Sequence, residues 1–268
     1  MSSDSVVGVE SLADDLRALG IIPGNSVLVH SSLRAVGTVE RGAEGLVDAL
    51  LAAVGPEGTV MVPTFTYDSA LFDPGATPGR TGAVAEALRR RARAVRSLHP
   101  FYSVAALGPL SVELTRGHEL LPGTGIGSPL DRLAAACGLI LLLGVGHDRS
   151  TTIHVGEFQA EAFYLDIPFD PSWPTAAEIF RGDETRRVSY DRVPGCSRVF
   201  AVIEPHLRAR GAIEDGLVGR ANAQLVAGAA VIEETVALLA RDEAALLCTD
   251  QGCYRCSRAR ARLGRLAG

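Results

Sequence analysis

Apolar positions in the first part of the chain follow two different spacings. They recur every three or four residues over residues 10–20 and 46–54, which predicts two amphipathic helices. Residues 26–31 and 59–62 are short runs rich in valine, which is typical of buried strands. A strand, a helix and a second strand in this order predict a βαβ unit, and therefore a parallel sheet covered by helices on both faces.

The same alternation continues towards the middle of the chain. Residues 81–91 are helical in pattern, residues 103–107 form a short strand, and residues 139–143 are an unbroken apolar strand that we expect at the centre of the sheet. The pattern predicts an α/β fold, a three-layer α/β/α sandwich with a largely parallel or mixed central sheet. Since no stretch resembles a linker or a repeat, residues 1–268 are expected to form one domain.

The second half is less regular. Residues 163–193 mix aromatics, prolines and acids without periodicity, so we interpret them as a functional loop. Residues 198–210 and 221–239 are predicted to be helical, and the arginine-rich tail after Cys256 is predicted to form a short helix.

Composition narrows the classes of partner. The chain has 268 residues and a formal net charge of −5, and all 26 of its basic residues are arginine. A negative net charge is not typical of a nucleic-acid-binding protein, which is usually strongly basic, and it suits a cationic small molecule as partner. The first residues lack the pattern of a signal peptide, and the longest apolar run, residues 133–146, is too short to span a bilayer. We therefore expect a cytoplasmic protein without a membrane partner.

Two clusters of polar residues lie where predicted strands end. Ser31, Ser32 and Arg34 follow the first strand, where hydroxyl, guanidinium and backbone N–H groups are natural partners of phosphate; capping of the next helix explains them about as well. His154 and Glu157 follow the 139–143 strand at the start of a helix. Their spacing of three places them on one helix face, so an imidazole and a carboxylate could form a general base.

Four cysteines form a third candidate site. Cys253 and Cys256 are a C-x-x-C pair, Cys248 is close in sequence, and Cys196 could join them on folding. Four such thiols predict a structural zinc site, with buried free thiols and a reactive exposed pair as the alternative. Cys137 lies in an apolar, helix-like run and is predicted to be in the core.

Several motifs together resemble the aminoglycoside 3-N-acetyltransferase family. They occur in the family's order and cover most of residues 10–160. The matching stretches are VHSSLRAVG (29–37), GTVMVPTF (58–65), RSLHPFYSVAALG (96–108), SPLDRL (128–133), LLLGVG (141–146) and T-x-x-H-x-G-E (151–157).

The resemblance implies an α/β sandwich unrelated to the GNAT fold, with acetyl-coenzyme A as the donor. It implies that His154 is the catalytic histidine, that Glu157 lies in the acceptor site and that a later acid, Asp191 or else Glu184, assists the histidine. An acidic pocket for a polycationic sugar would then come from Glu157 and three further residues, namely Glu161, Asp166 and Asp170. The coenzyme site implied by the resemblance comprises Ser31, Ser32, Leu33, Arg34, Arg96 and Ser103.

The resulting hypothesis is acetyl transfer from acetyl-coenzyme A to the 3-amino group of an aminoglycoside or to a related small amine, with a homodimer compatible with it. One alternative is a metal-dependent hydrolase that uses His147, His154 and Glu157. A second alternative keeps acetyl transfer, but its acceptor is a biosynthetic intermediate that bears a primary amine and is not an aminoglycoside. A third is a binding module that has lost turnover, although the intact histidine and glutamate argue against it.

Overall fold

A mixed seven-stranded sheet forms the centre of the molecule, and a computed structural model describes residues 5–266. The helices are α1 (Val9–Ala18), α2 (Leu33–Val36), α3 (Gly42–Val54), α4 (Ala83–Arg89), α5 (Ser111–Thr115), α6 (Pro129–Ala135), α7 (Thr152–Gln159), α8 (Glu204–Ala209), α9 (Gly228–Arg241) and α10 (Tyr254–Leu266). The strands are β1 (Ser26–Ser31), β2 (Thr59–Pro63), β3 (Leu71–Phe72), β4 (Val95–Arg96), β5 (Val104–Leu107), β6 (Leu139–Leu143), β7 (Ala176–Arg181), β8 (Glu184–Ser189), β9 (Ile213–Val218) and β10 (Ala221–Ala227).

The strand order of the large sheet is β4-β5-β2-β1-β6-β10-β9. β1 pairs in parallel with β2 on one side and with β6 on the other, whereas β5 and β10 run antiparallel to their neighbours. The prediction of an α/β fold is therefore confirmed, and of the two predicted forms of the central sheet, largely parallel or mixed, the sheet has the mixed one. Three parallel strands end at the same edge, and this edge carries the site described below.

Helices cover both faces of this sheet because its strands are apolar on both sides. Along β1, Val27 and Val29 pack with α1, α3 and α4, while Leu28 points to the opposite face. That opposite face is covered by α6, α7 and α9. The result is the expected three-layer sandwich.

The segment 163–193, predicted to be an irregular loop, contains a hairpin instead. β7 and β8 pair antiparallel, and β7 also pairs in parallel with β3 to form a three-stranded sheet. Gly182 makes the turn with a φ of +64°. On this sheet Ile179 and Val188 face the core, while most of β8 is exposed, so its apolar alternation is too sparse to read from the sequence. The small sheet shares one apolar cluster with the large one.

The prediction of a continuous helix over residues 221–239 is wrong in its first third. Residues 221–227 form β10, and helix α9 begins at Gly228. β10 lies between β6 and β9, so pairing on both sides outweighs the weak strand propensity of its alanine, asparagine and glutamine residues. The two-residue turn at Gly219 and Arg220 was the available signal for this hairpin, since Gly219 has a φ of +60°.

Cys137 is a further correction, because it is exposed and not part of the core. Helix α6 ends at Ala135, and Cys137 has a left-handed φ of +57°. The N–H of Gly138 then bonds back to the carbonyl of Leu133 at 2.8 Å, which closes the helix end and leaves the thiol outside. The C-terminal helix, by contrast, is confirmed as α10.

Candidate active site

Two adjoining cavities lie at the carboxyl edge of the parallel strands. We call them the serine lobe, of about 430 Å³, and the aromatic lobe, of about 290 Å³. The lobes share four wall residues: Phe65, Tyr67, Arg149 and Thr151. Because the same four residues border both cavities, molecules held in the two lobes would meet there.

The serine lobe collects polar groups from three chain segments. Ser31 ends β1 and Ser32 follows it, Arg80, Thr81 and Gly82 lead into α4, and Arg149 and Thr151 precede α7. The Arg80 side chain is 61% exposed and forms an ion pair with Asp68 at 2.9 Å, so its guanidinium remains accessible. Backbone at a helix start, hydroxyl groups and an accessible arginine together suit the phosphates and amides of a coenzyme.

Of the coenzyme residues implied by the sequence, Ser31 and Ser32 line the serine lobe. Leu33 and Arg34 follow directly in α2, outside the residues that line it. Their contact with a coenzyme stays a prediction.

Arg96 and Ser103 are not brought to this lobe. The Arg96 guanidinium donates to Ser103 Oγ at 3.1 Å and to the Thr64 carbonyl at 2.9 Å, and Ser103 is fully buried. The strand order explains the difference, because β4 and β5 lie at the sheet edge beyond β2. These two residues tie loops of the scaffold together, and their contact with a coenzyme stays a prediction.

Aromatic rings form most of the aromatic lobe. Tyr102, Phe169 and Trp173 complete its wall beside the shared Phe65 and Tyr67, and Trp173 lies 5.8 Å from Tyr67 between ring centroids. His154 opens into this lobe from the first turns of α7. Aromatic faces attract cations, so the lobe suits an amine-bearing ligand.

His154 is held by a carboxylate behind it. Its Nδ1 lies 2.6 Å from Oε2 of Glu157, whose other oxygen accepts from the Tyr164 hydroxyl at 2.9 Å. A carboxylate can only accept, so Nδ1 carries the proton and Nε2 keeps its lone pair on the lobe side. The Phe200 ring packs edge-on at 4.8 Å and fixes the imidazole plane. The arrangement is that of an oriented general base.

The acid that orients His154 is therefore Glu157, one helical turn away. Glu157 is 2% exposed and lies behind His154, outside the residues that line the aromatic lobe, so its implied place in the acceptor site stays a prediction. Asp191 lies after β8 in a separate groove with Arg186, and Glu184 is exposed at the start of β8. The hairpin carries both away from α7, so the structure does not bring either to His154.

The predicted acidic pocket does not form. Asp166 pairs with Arg262 at 2.8 Å, Asp170 bonds to its neighbour Ser172, and Glu161 is exposed. None of the three lines the aromatic lobe, whose acid among the described residues is Asp148. A cation placed in that lobe would meet mainly aromatic rings.

A metal-dependent hydrolase is not favoured by this geometry. His147 is fully buried, and neither of its ring nitrogens has a hydrogen-bond partner within residues 5–266. Among the described residues, one group of three or more His, Cys, Asp or Glu side chains is close enough to hold a metal ion. It consists of four cysteines outside this site. His154 and Glu157 are already bonded to each other, so they do not converge with His147 on an ion.

Sulfur atoms of all four expected cysteines converge. The Sγ atoms of Cys196, Cys248, Cys253 and Cys256 lie within 4.8 Å of one another, and all four residues are buried. A hydrogen bond from the Cys256 thiol is the main cause that lowers the pKa of Cys196 to about 5. None of the four lines either lobe.

Several residues of the site had no sequence motif to mark them. Tyr164 and Trp173 fall in the segment interpreted as a functional loop, and only their aromatic character hinted at a role. Arg80 and Arg149 reach the lobes because the ends of different strands meet at one edge. The proximity of these strand ends could have been expected from the parallel β1, β2 and β6.

The sequence model of one family matches residues 28–240, and its description is aminoglycoside 3-N-acetyltransferase. The chain belongs to the aminoglycoside 3-N-acetyltransferase family. Among its relatives, aminoglycoside N(3)-acetyltransferase IV of Salmonella sp is 34% identical over 93% of this chain and 94% of that protein. Aminoglycoside N(3)-acetyltransferase VII of Streptomyces paromomycinus is 34% identical over 88% of this chain and 92% of its own length.

Solved structures of family members agree with this fold. A histidine-to-alanine variant of aminoglycoside acetyltransferase AAC(3)-IVa, in complex with a gentamicin, superposes with a TM-score of 0.85 at 32% identity, over 97% of this chain and 99% of that one. AAC-IIIb, in a binary complex with CoASH, gives a TM-score of 0.73 at 28% identity over 88% and 97% of the two chains. Within residues 5–266, no helix is both long enough and apolar enough to cross a bilayer.

Proposed function

We propose that this member of the aminoglycoside 3-N-acetyltransferase family transfers the acetyl group of acetyl-coenzyme A to the 3-amino group of an aminoglycoside. Such a modification is a route to antibiotic resistance. The observation that carries the proposal is the wall shared by the two lobes. The serine lobe offers groups that suit the coenzyme, and the aromatic lobe holds an oriented imidazole.

Transfer across that wall needs a free amine, because an ammonium cannot attack a thioester. Nε2 of His154 accepts the proton as the amine nitrogen attacks the acetyl carbon. The new C–N bond forms, the C–S bond breaks, and the proton held on His154 passes to the departing thiolate. Glu157 stabilises the imidazolium between these steps, and Tyr164 holds the second carboxylate oxygen.

Burial keeps the Tyr164 hydroxyl in the role of donor. It raises the pKa of Tyr164 well above its usual value, and the charge and hydrogen bond of Glu157 raise it further. Tyr164 therefore stays protonated while His154 cycles through its charged form.

The aromatic lobe recognises the acceptor mainly through ring faces. Tyr67, Phe169 and Trp173 can each present a π-face to an ammonium group, and Asp148 adds one carboxylate beside Arg149. An acceptor with several amines is favoured because one amine can react while others are held.

The remaining partners follow from the same proposal. Any zinc held by the four cysteines would lie outside the reaction, since none of them lines a lobe. We further propose that the 268 residues act as one cytoplasmic domain. A homodimer stays a prediction that light scattering of the purified chain would decide.

Release of coenzyme A thiol with matched acceptors tests the proposed function. We expect rapid release with an aminoglycoside that carries a free 3-amino group, and none when that amine is already acetylated, because the blocked amide nitrogen is not a nucleophile. NMR of the product would locate the new acetyl group. Equal release with amines that lack the aminoglycoside ring would favour another biosynthetic acceptor. Absence of any coenzyme binding would contradict acetyl transfer itself.

A second prediction concerns the coenzyme side of the site. Replacing Arg80 with alanine is expected to raise KM for acetyl-coenzyme A about tenfold with little change in kcat, because a charge-assisted contact to phosphate is lost. Steady-state kinetics with acetyl-coenzyme A and with acetyl-pantetheine, which has no phosphates, would check the cause.

Acetyl-pantetheine should not distinguish the Arg80→Ala variant from the wild type. Arg41→Ala is the matched control, because Arg41 is also an exposed arginine paired with an aspartate, Asp48 at 2.6 Å, but lies outside both lobes. An equal rise of KM for both donors would show that Arg80 does not contact phosphate.

A further inference from the structure

We propose that Cys196, Cys248, Cys253 and Cys256 bind one structural Zn²⁺ ion, and that this ion holds a wall of the aromatic lobe in place. The four sulfurs lie within 4.8 Å of one another, and those of Cys196 and Cys248 are 3.7 Å apart. A tetrahedron with Zn–S bonds of about 2.3 Å has sulfur–sulfur edges of about 3.8 Å. One sulfur pair matches this edge, and every separation is within about 1 Å of it or shorter, so small shifts of the side chains would close the cage on a zinc ion.

Disulfide bonding does not explain this cage. A disulfide joins two sulfurs at about 2 Å, whereas all four cysteines are free and the sulfurs of Cys196 and Cys248 lie 3.7 Å apart. All four residues are at most 4% exposed, so the cage is closed and leaves no open coordination position for catalysis. Closed tetrathiolate sites are structural in zinc proteins.

The four ligands come from two distant parts of the chain. Cys196 follows β8, Cys248 follows α9, and Cys253 and Cys256 flank the start of α10. The family match ends at residue 240, so three of the four ligands lie beyond it. An ion between them would tie this C-terminal segment to the segment around Cys196, which borders the active site.

Arg255, between two of the ligands, connects the cage to the aromatic lobe. Its buried guanidinium donates to the carbonyls of Ile167 at 2.6 Å and of Val193 at 2.5 Å. A Cβ placed on Gly195 would lie 2.2 Å from Nη1 of Arg255, so the guanidinium packs directly on that glycine. Gly195 lines the aromatic lobe, and Arg255 therefore acts as a positioning residue for its wall.

The charge of Arg255 gives the cage a second physical role. Its hydrogen bonds all reach backbone carbonyls, and Nη1 has no hydrogen-bond partner within residues 5–266. A buried cation without a bonded anion is costly. A zinc ion with four thiolates carries two net negative charges, and Cys256 is the next residue along, so the metal-loaded cage would compensate the guanidinium.

Metal analysis of the purified full chain is the first test. We expect about one zinc per chain in the wild type and in Cys137→Ser, the matched control, because Cys137 is exposed and outside the cage. Cys256→Ser should retain only a small fraction of that zinc. Chain produced with Co²⁺ should show the intense visible absorption of tetrahedral thiolate cobalt. Zinc-free wild type, or bound iron in its place, would overturn the assignment.

The fluorescence of Trp173, the one tryptophan of the chain, tests whether the ion holds the wall of the aromatic lobe in place, and it needs no ligand. It lines the aromatic lobe, so removal of the metal by a chelator under reducing conditions should shift its fluorescence, and added Zn²⁺ should restore it. This reversible test also covers the case in which cysteine variants fail to fold. An unchanged Trp173 emission in metal-free, folded protein would show that the ion does not position the wall.

Binding measurements connect the ion to the proposed function, on which this last step rests. Metal-free protein should bind gentamicin at least about tenfold more weakly, while its affinity for coenzyme A changes less than about twofold. Equal weakening of both ligands would contradict a local role for the ion. A chain that holds zinc but transfers no acetyl group contradicts the proposed function alone. One that transfers acetyl without zinc contradicts this inference alone.

Discussion

Replacing His154 with alanine is expected to lower kcat/KM for acetyl transfer by about 10³-fold. The imidazole lines the aromatic lobe and can accept the proton of the attacking amine, and Glu157 holds it with Nε2 on the lobe side. Coenzyme binding should persist, because His154 does not line the serine lobe. Thiol-release kinetics and calorimetry with coenzyme A would measure the two effects separately.

Two further variants show whether the loss is specific. His206→Ala should keep the wild-type rate, since the His206 side chain is 41% exposed and lies at α8, outside both lobes. Glu157→Gln removes the charge that stabilises the imidazolium, so its rate should fall by about 10² while KM for the donor is kept. If His154→Ala retained more than about a third of the wild-type rate, the imidazole could not be the base.

Acidification from pH 7 to pH 5 is expected to lower the free energy of unfolding by about 4 kcal/mol. Burial lowers the pKa of His30 to about 3, with the nearby His147 as a second cause, and burial likewise lowers the pKa of His118 to about 3. The unfolded chain protonates both near pH 6.5, while the folded chain leaves them neutral down to about pH 3. Stability is therefore lost progressively between these values, at about 2 kcal/mol for each histidine by pH 5.

Urea unfolding at pH 7, 6 and 5 would check both the direction of the change in the free energy of unfolding and its cause. Burial also lowers the pKa of His99 and His147, which adds in the same direction. His118→Gln should reduce the difference between pH 7 and pH 5 by about 2 kcal/mol. A difference below about 1 kcal/mol for the wild type would contradict the depressed pKa values.

The acid sensitivity of the fold has a structural origin. His118 lies between Ser97 and the carbonyl of Gly123, with hydrogen bonds of 2.9 and 2.8 Å to the ring nitrogens. The neutral ring already makes both hydrogen bonds, so a second proton would find no new acceptor. The charged ring would also lie in surroundings that exclude water. The same burial that fixes these loops makes them vulnerable to acid.

Local features of the chain were predictable from the sequence because they depend on neighbours along it. Helical and strand spacing identified β1, β2, β6 and α1, and an interval of three residues placed His154 and Glu157 on one helix face. The position of Ser31 and Ser32 after a parallel strand predicted their place at the carboxyl edge. The ordered motifs then identified the family.

Other features depend on residues far apart in sequence, and only the tertiary structure decided them. Arg96 and Ser103 bond to each other within the scaffold because β4 and β5 lie at one edge of the large sheet. The β7–β8 hairpin places Asp191 in a groove away from His154. Strand pairing on both sides made residues 221–227 a strand despite their weak propensity. Spacing could suggest that four cysteines meet, but their common centre depends on how α10 docks against the segment around Cys196, because packing and not sequence distance sets that geometry.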